Sequence, residues 1–123
     1  LTSMTAGCVV LGEIFTSDVA VAHTARGDEF RKALQAIATK SGAPVCVTGF
    51  GSMMSIHALA TPPHNADDMM KRDAQLQELL FLGLLERGVY IAARGMVNLG
   101  LPHTDDQLAQ FLDAFAETLA SLN

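Results

Sequence analysis

Val45–Leu59, VCVTGFGSMMSIHAL, is the stretch on which the fold turns. Val45 to Thr48 and Met53 to Leu59 are short runs of β-branched and apolar residues separated by Gly49-Phe50-Gly51, which predicts two strands joined by a tight turn. Alternation along the second run puts Met54, Ile56 and Ala58 on one face and Met53, Ser55 and His57 on the other, so one face is built to be covered. GFG has the glycine spacing of part of a phosphate loop. Because it leads into a strand and opens no helix, no helix N-terminus is aimed at an anion there, and a hairpin turn is the better account.

Helices flank this hairpin. Upstream, Val19, Ala22, Arg26, Phe30, Ala33, Leu34 and Ile37 recur at helical spacing after a start at Ser17-Asp18, and KSGAP, residues 40–44, supplies the stop. Residues 3–15 are small and apolar almost all round, which suits a helix packed on more than one side. Downstream, ATPPHNADD, residues 60–68, closes the second strand. Asn65 or Asp67 then caps a helix over 68–86 that ends at Gly88, with 79–85 apolar on nearly every side. VYIA and MVNLG read as two more strands joined at Ala93-Arg94-Gly95. Thr104 with Gln107 is a capping-box pattern opening a final helix marked by Leu108, Phe111, Leu112, Phe115, Leu119 and Leu122. Together these elements predict an α+β fold, a small antiparallel sheet covered by helices, in a single domain of 123 residues.

The bulk numbers exclude several function classes. Half of the residues are apolar and 17% are charged, against about 25% charged in a typical soluble domain, so part of the surface is expected to face another domain or subunit. A net charge of -5 gives no electrostatic reason to bind nucleic acid or an anionic membrane. The longest apolar run, LQELLFLGLL, falls short of the roughly 18–20 residues that span a bilayer. Cys8 and Cys46 lie in apolar settings without paired spacing and are expected as buried free thiols in a reducing cytoplasm.

The residues offer little chemistry. Cys46 with His57 could be drawn as nucleophile and base, but a cysteine between valines on a strand reads as a small core hydrophobe. His23, His57, His64 and His103 lack metal-ligand spacing, and no metal site is expected. Asp67-Asp68 and Asp105-Asp106 stand at helix starts, where acids favour the dipole. The methionines 53, 54, 69 and 70 read as packing filler. Arg94 is the exception: at a hairpin tip it adds nothing to a core and can offer its planar fork to a carboxylate or phosphate, or simply be solvated.

The ordered series LTSMTAG, EIFT, ARGDEFRKAL, VTGFGSMMSIHAL and LLFLGLLERGVYIAARGMVNLGLPHTDDQLAQFLDAF resembles the C-terminal part of class III aminotransferases of fold type I. The branch it is most similar to holds glutamate-1-semialdehyde aminomutase and its aminotransferase-like relatives. The resemblance implies that residues 1–123 form the small C-terminal domain, with 1–15 the helix leading in from a large domain that carries pyridoxal 5'-phosphate. It implies no catalytic residue in this chain, since the Schiff-base lysine and the phosphate-gripping groups belong to that large domain and Lys32, Lys40 and Lys71 do not match its position. The chain alone is then expected to be inactive and not to bind the cofactor.

For the parent, the resemblance implies a cytoplasmic homodimer moving an amino group between an amino acid, β-amino acids included, and a keto acid. Arg94 matches the substrate-facing loop, where an arginine can hold a substrate carboxylate. The aminomutase has a glutamate where Val97 stands here, which counts against the alternative of semialdehyde isomerisation. A second alternative is a free-standing α+β binding or assembly module without catalysis. A module should present a polar surface, whereas a fragment should leave 79–85 exposed.

Overall fold

The structure, a computed structural model, describes residues 1–122 of the chain. Its sheet has three antiparallel strands, β1 (Cys46–Phe50), β2 (Met53–His57) and β3 (Met96–Asn98), in the order β1-β2-β3. The hairpin pairs Phe50 with Met53 across Gly51-Ser52, and β3 joins the far side of β2 with Met54 opposite Val97. Met54, Ile56 and Val97 point into the core, while Met53 is 65% exposed on the other face, the alternation the sequence predicts.

Three helices build most of the rest of that core, with Val45, Val47, Ala58, Ile91 and Leu99 added from β1 and the connecting chain. α2 (Ser17–Ser41) contributes Phe30, Leu34 and Ala38, α4 (Ala74–Glu86) contributes Leu80 and Leu84, and α5 (Asp105–Ser121) contributes Phe111, Phe115 and Leu119. α2 packs on β1 and α5, and α4 on α5. Phe30 and Phe111 meet edge to face at 5.4 Å, a geometry that adds to plain area burial. The buried face of α2 begins at His23 and Gly27, later than the apolar spacing from Val19 suggests, and Ala22 is exposed. Gly27 lies so close to the hairpin turn that a Cβ there would run into the Gly51 carbonyl. The helix also satisfies strand backbone: Asp28 accepts from the Gly51 N–H at 3.0 Å, and Gln35 Oε1 accepts from the Val47 N–H at 2.8 Å on the outer edge of β1.

Several expectations need correction. The helix expected over 68–86 is two: α3 (Ala66–Met70), capped by Asn65, and α4, capped by Asp73, which accepts from the Leu76 N–H at 2.9 Å. The Asp73 N–H is bonded to the Ala58 carbonyl at 3.1 Å, so it cannot continue a helix through 71–73. VYIA is no strand. Gly95 and Met96–Asn98 already fill the open edge of β2, with Ile56 donating to the Gly95 carbonyl at 2.9 Å, and Val89–Ala92 returns as irregular chain. The N-cap of α2 is Thr16, one residue before Ser17.

Burial also differs. α1 (Thr2–Val9) runs into a π-helical turn, Val10–Ile14, closed by the Phe15 N–H on the Val10 carbonyl at 2.6 Å, and neither piece has a buried residue. Leu1, Met4 and Leu11 are exposed, as is Cys8, contrary to the expected buried thiol. α4 buries one face only, leaving Leu79, Leu82 and Leu85 open to solvent. Among the described residues no single helix is long and apolar enough to cross a membrane.

Candidate functional site

Arg94 stands on a loop locked at its base. Gly95 has φ +94°, its N–H donates to the Ala92 carbonyl at 2.7 Å, and its own carbonyl accepts from Ile56. Beneath it Gln77, 4% exposed, uses both ends of its amide: Oε1 accepts from the Ala58 N–H at 3.1 Å and Nε2 donates to the Ile56 carbonyl at 3.3 Å. Gln77 thus bonds α4 to the sheet and Ile56 bonds the sheet to the loop, which leaves Ala93 and Arg94 projecting and exposed. The guanidinium of Arg94 reaches the Met96 sulfur at 3.7 Å, a weak acceptor, and no carboxylate among the described residues pairs with it.

Two cavities meet at this arginine. The larger, about 520 Å³, lies between the 88–99 segment and the start of α5, with Tyr90, Asn98, His103 and Gln107 on its walls and Val97 and Phe111 on its apolar side. The smaller, about 400 Å³, runs along α4 past Arg72, Phe81 and Leu82 to Ala93 and Arg94. Both fall in the size range of small-molecule sites.

The wall carrying His103 is held from α2. Arg26 donates to the His103 carbonyl and to Asp105 Oδ1, each at 2.7 Å, and His23 Nε2 donates to the Leu99 carbonyl at 3.1 Å. His103 Nδ1 accepts from the Gly100 N–H at 2.9 Å, leaving its other nitrogen free to donate. The capping box forms as expected, with Thr104 and Gln107 bonded reciprocally. Sequence spacing marked Arg26 only as a helix-face residue and His23 only as a poor metal candidate. Their signal is the buried polar face, which apolar periodicity does not register.

Cys46 and His57 are brought together as a cross-strand pair. Burial pushes the Cys46 thiol up, away from the thiolate a nucleophile needs. His57 Nε2 is bonded to Thr48 Oγ1 at 2.8 Å, its Nδ1 has no partner, and burial, followed by the charge of Arg72, lowers its pKa. The pair is a core feature. Because the folded pKa of His57 lies below the unfolded value of about 6.5, the folded state resists protonation there. Stability is therefore expected to fall as pH drops from about 6.5 through the folded value. Urea titrations between pH 7 and 5 should show this decline, and His57→Gln should flatten it.

His64 is exposed, and no group of three or more metal-donor side chains occurs among the described residues. Asp68 is held below the usual carboxylate range, first by its bond from Lys71 and then by the His64 N–H.

No protein-family model matches the chain. It is 34% identical over 112 residues to the β-phenylalanine transaminase of Variovorax paradoxus, an alignment covering 91% of this chain and 26% of that protein. The crystal structure of the Variovorax paradoxus β-phenylalanine aminotransferase superposes with a TM-score of 0.92 at 32% identity, covering 97% of this chain and 28% of that one. The chain corresponds to the C-terminal region of class III aminotransferases. It is also 27% identical over 95 residues to the glutamate-1-semialdehyde 2,1-aminomutase of Thermus thermophilus, covering 76% of this chain and 22% of that protein. The chain thus spans about a quarter of the length of the curated relatives it matches.

These class III relatives use pyridoxal phosphate. The residues of this aminotransferase segment do not fit a Schiff-base site: Lys32 is exposed and paired with Glu29, Lys71 is exposed and paired with Asp68, Lys40 is exposed at the end of α2, and no lysine lines either cavity. What this segment offers is a rigidly based arginine between two cavities.

Proposed function

We propose that residues 1–123 are the small C-terminal domain of a pyridoxal-phosphate-dependent aminotransferase and that Arg94 binds the carboxylate of its amino acid substrate. The observation that carries this reading is the Arg94 guanidinium, without a carboxylate partner among the described residues and presented at the junction of two cavities by a loop fixed at Gly95. A planar fork with free donors takes a carboxylate in two parallel bonds, which fixes orientation as well as adding affinity. The substrate class is an amino acid, β-amino acids included, with a keto acid as acceptor; the similarity to a β-phenylalanine transaminase supports it.

In this reading residues 1–15 lead in from a large domain that holds the cofactor and the Schiff-base lysine, and the parent is a cytoplasmic homodimer. The bare apolar surfaces of α1 and of Leu79, Leu82 and Leu85 support a covering domain over a free-standing module, whose surface would be polar. Pyridoxal phosphate would supply the electron sink for amino transfer. This chain supplies a wall that orients the substrate through Arg94 and, through Tyr90, Asn98 and Gln107, polar groups facing it. Val97, 5% exposed and apolar, offers no carboxylate at the position where the aminomutase has its glutamate, so transamination is favoured over semialdehyde isomerisation.

In the full-length enzyme, Arg94→Ala is expected to lower kcat/KM for amino acids by about 10- to 150-fold, the worth of a charge-assisted hydrogen bond. The rate on an amine of the same skeleton without the carboxylate should be unchanged. Equal losses on both substrates, or no loss on either, would contradict the assignment.

A further inference from the structure

The turn from Gly100 to His103 is fixed more firmly than an exposed turn needs. Leu101, Pro102 and His103 are exposed, and residues 100–104 give no side chain to the core among the described residues. A surface turn with so few apolar contacts is ordinarily among the first parts of a domain to open. Here it is closed from within and from outside. Within the turn, the Gly100 N–H donates to His103 Nδ1 at 2.9 Å and the His103 N–H to the Gly100 carbonyl at 3.2 Å. From α2, His23 Nε2 donates to the Leu99 carbonyl at 3.1 Å just before the turn, and Arg26 Nη2 donates to the His103 carbonyl at 2.7 Å at its end.

Both α2 side chains are committed to this contact. His23 is 8% exposed, and because a carbonyl only accepts, its Nε2 carries the hydrogen. Arg26 Nη2 spends its two hydrogens on the His103 carbonyl and on Asp105 Oδ1, so the end of the turn and the first residue of α5 are tied to one nitrogen. The two residues stand three apart on α2 and therefore on one face of it. What they hold is a wall: Leu99, His103 and Gln107 line the larger cavity together with Tyr90 and Arg94. Neither His23 nor Arg26 lines that cavity, so any effect of theirs on a ligand passes through the turn.

We propose that His23 and Arg26 are positioning residues, which fix the 99–104 segment as a wall of the larger cavity and so set how tightly the substrate is held. This role rests on the larger cavity being part of the substrate site. It assigns neither residue a contact with substrate or a part in bond making.

The test follows the first half-reaction of the full-length enzyme at rising donor concentration, with an amino acid and with an amine of the same skeleton lacking the carboxylate. Arg26→Met keeps the stem and removes both bonds. It is expected to raise the half-saturating concentration of both donors about tenfold, since a misplacement of about 1 Å can cost about a hundredfold. The saturating rate should stay within about twofold, the pattern of lost binding that ground state and transition state share. Hydrogen exchange should quicken in residues 99–104 and stay unchanged in the hairpin over 46–57. Arg26→Lys, whose ammonium can still give two bonds, should recover part of the affinity, and His23→Leu should act in the same direction as Arg26→Met. A merely structural role would instead lower the saturating rate, as folded enzyme is lost, and leave the half-saturating concentration unchanged. That result overturns the positioning role, as does a 99–104 segment that exchanges faster while both donors bind as before. Arg94→Ala tells the two readings apart: equal losses on both donors contradict carboxylate binding by Arg94 even where Arg26→Met behaves as expected.

Discussion

Gly95→Ala is expected to destabilise the domain by about 3 kcal/mol or more, from backbone strain and overpacking of about 1–3 kcal/mol each. Gly95 holds φ +94°, a conformation that side-chain-bearing residues rarely adopt. A Cβ would also meet the Ile56 carbonyl and approach the Gln77 amide nitrogen to 2.9 Å. Neither neighbour can yield cheaply. Ile56 is in the middle of the sheet, 1% exposed, and Gln77 is pinned at both ends. The disturbance should therefore pass to the Ile56–Gly95 hydrogen bond and to the Arg94 loop together. Urea unfolding measures the first effect; faster amide exchange at Ile56 and weaker carboxylate binding report the second. A Gly95→Ala chain of unchanged midpoint would mean that the loop is not anchored as described.

Phe115→Ala is expected to cost about 3–5 kcal/mol, the usual range for removing a fully buried phenylalanine. Phe115 has no exposed surface and sits on α5, the helix packed against both α2 and α4, so the cavity left behind opens where three helices share one core. For a domain whose total stability lies within about 5–15 kcal/mol, that loss lowers the thermal midpoint by tens of degrees or abolishes the cooperative transition. Phe50, 73% exposed at the hairpin, is the internal control. Its replacement by Ala should change stability by less than about 0.5 kcal/mol, as for surface positions generally.

The parts of the fold that were legible in the sequence are those where one chemical signal dominates. Phe30 and Leu34 on α2, Phe111, Phe115 and Leu119 on α5, and Met54 and Ile56 on β2 all announce their burial through period, because each presents an apolar side chain to the same core. The capping box at Thr104 was legible because its geometry is local. The break at 71–73 was not: no glycine or proline marks it, and it arises because the Asp73 N–H finds the Ala58 carbonyl from a different part of the chain. VYIA has strand-forming residues but no free strand to pair with, a tertiary fact.

The apolar character of α1 and of 79–85 predicted burial on several sides, and in the described residues those surfaces lie bare. Apolar sequence records what a segment is built to contact, which for these two helices need not lie within the chain. The site divides in the same way. Arg94 could be singled out because an arginine between Ala93 and Gly95 in a tight turn has no packing role. The role of Gln77 could not, since its bonds to the Ala58 N–H and the Ile56 carbonyl exist only once α4 has been laid against the sheet.

The central claim is that this domain belongs to a polypeptide that moves amino groups on pyridoxal phosphate. Its most direct test is to express the uninterrupted reading frame containing residues 1–123, with a β-amino acid added and no acceptor. The visible absorption of the bound aldehyde cofactor should disappear and one keto acid form per cofactor consumed, after which a keto acid acceptor restores the starting spectrum. A polypeptide that binds no pyridoxal phosphate, or that binds it and leaves the amino group on the donor, would contradict the account.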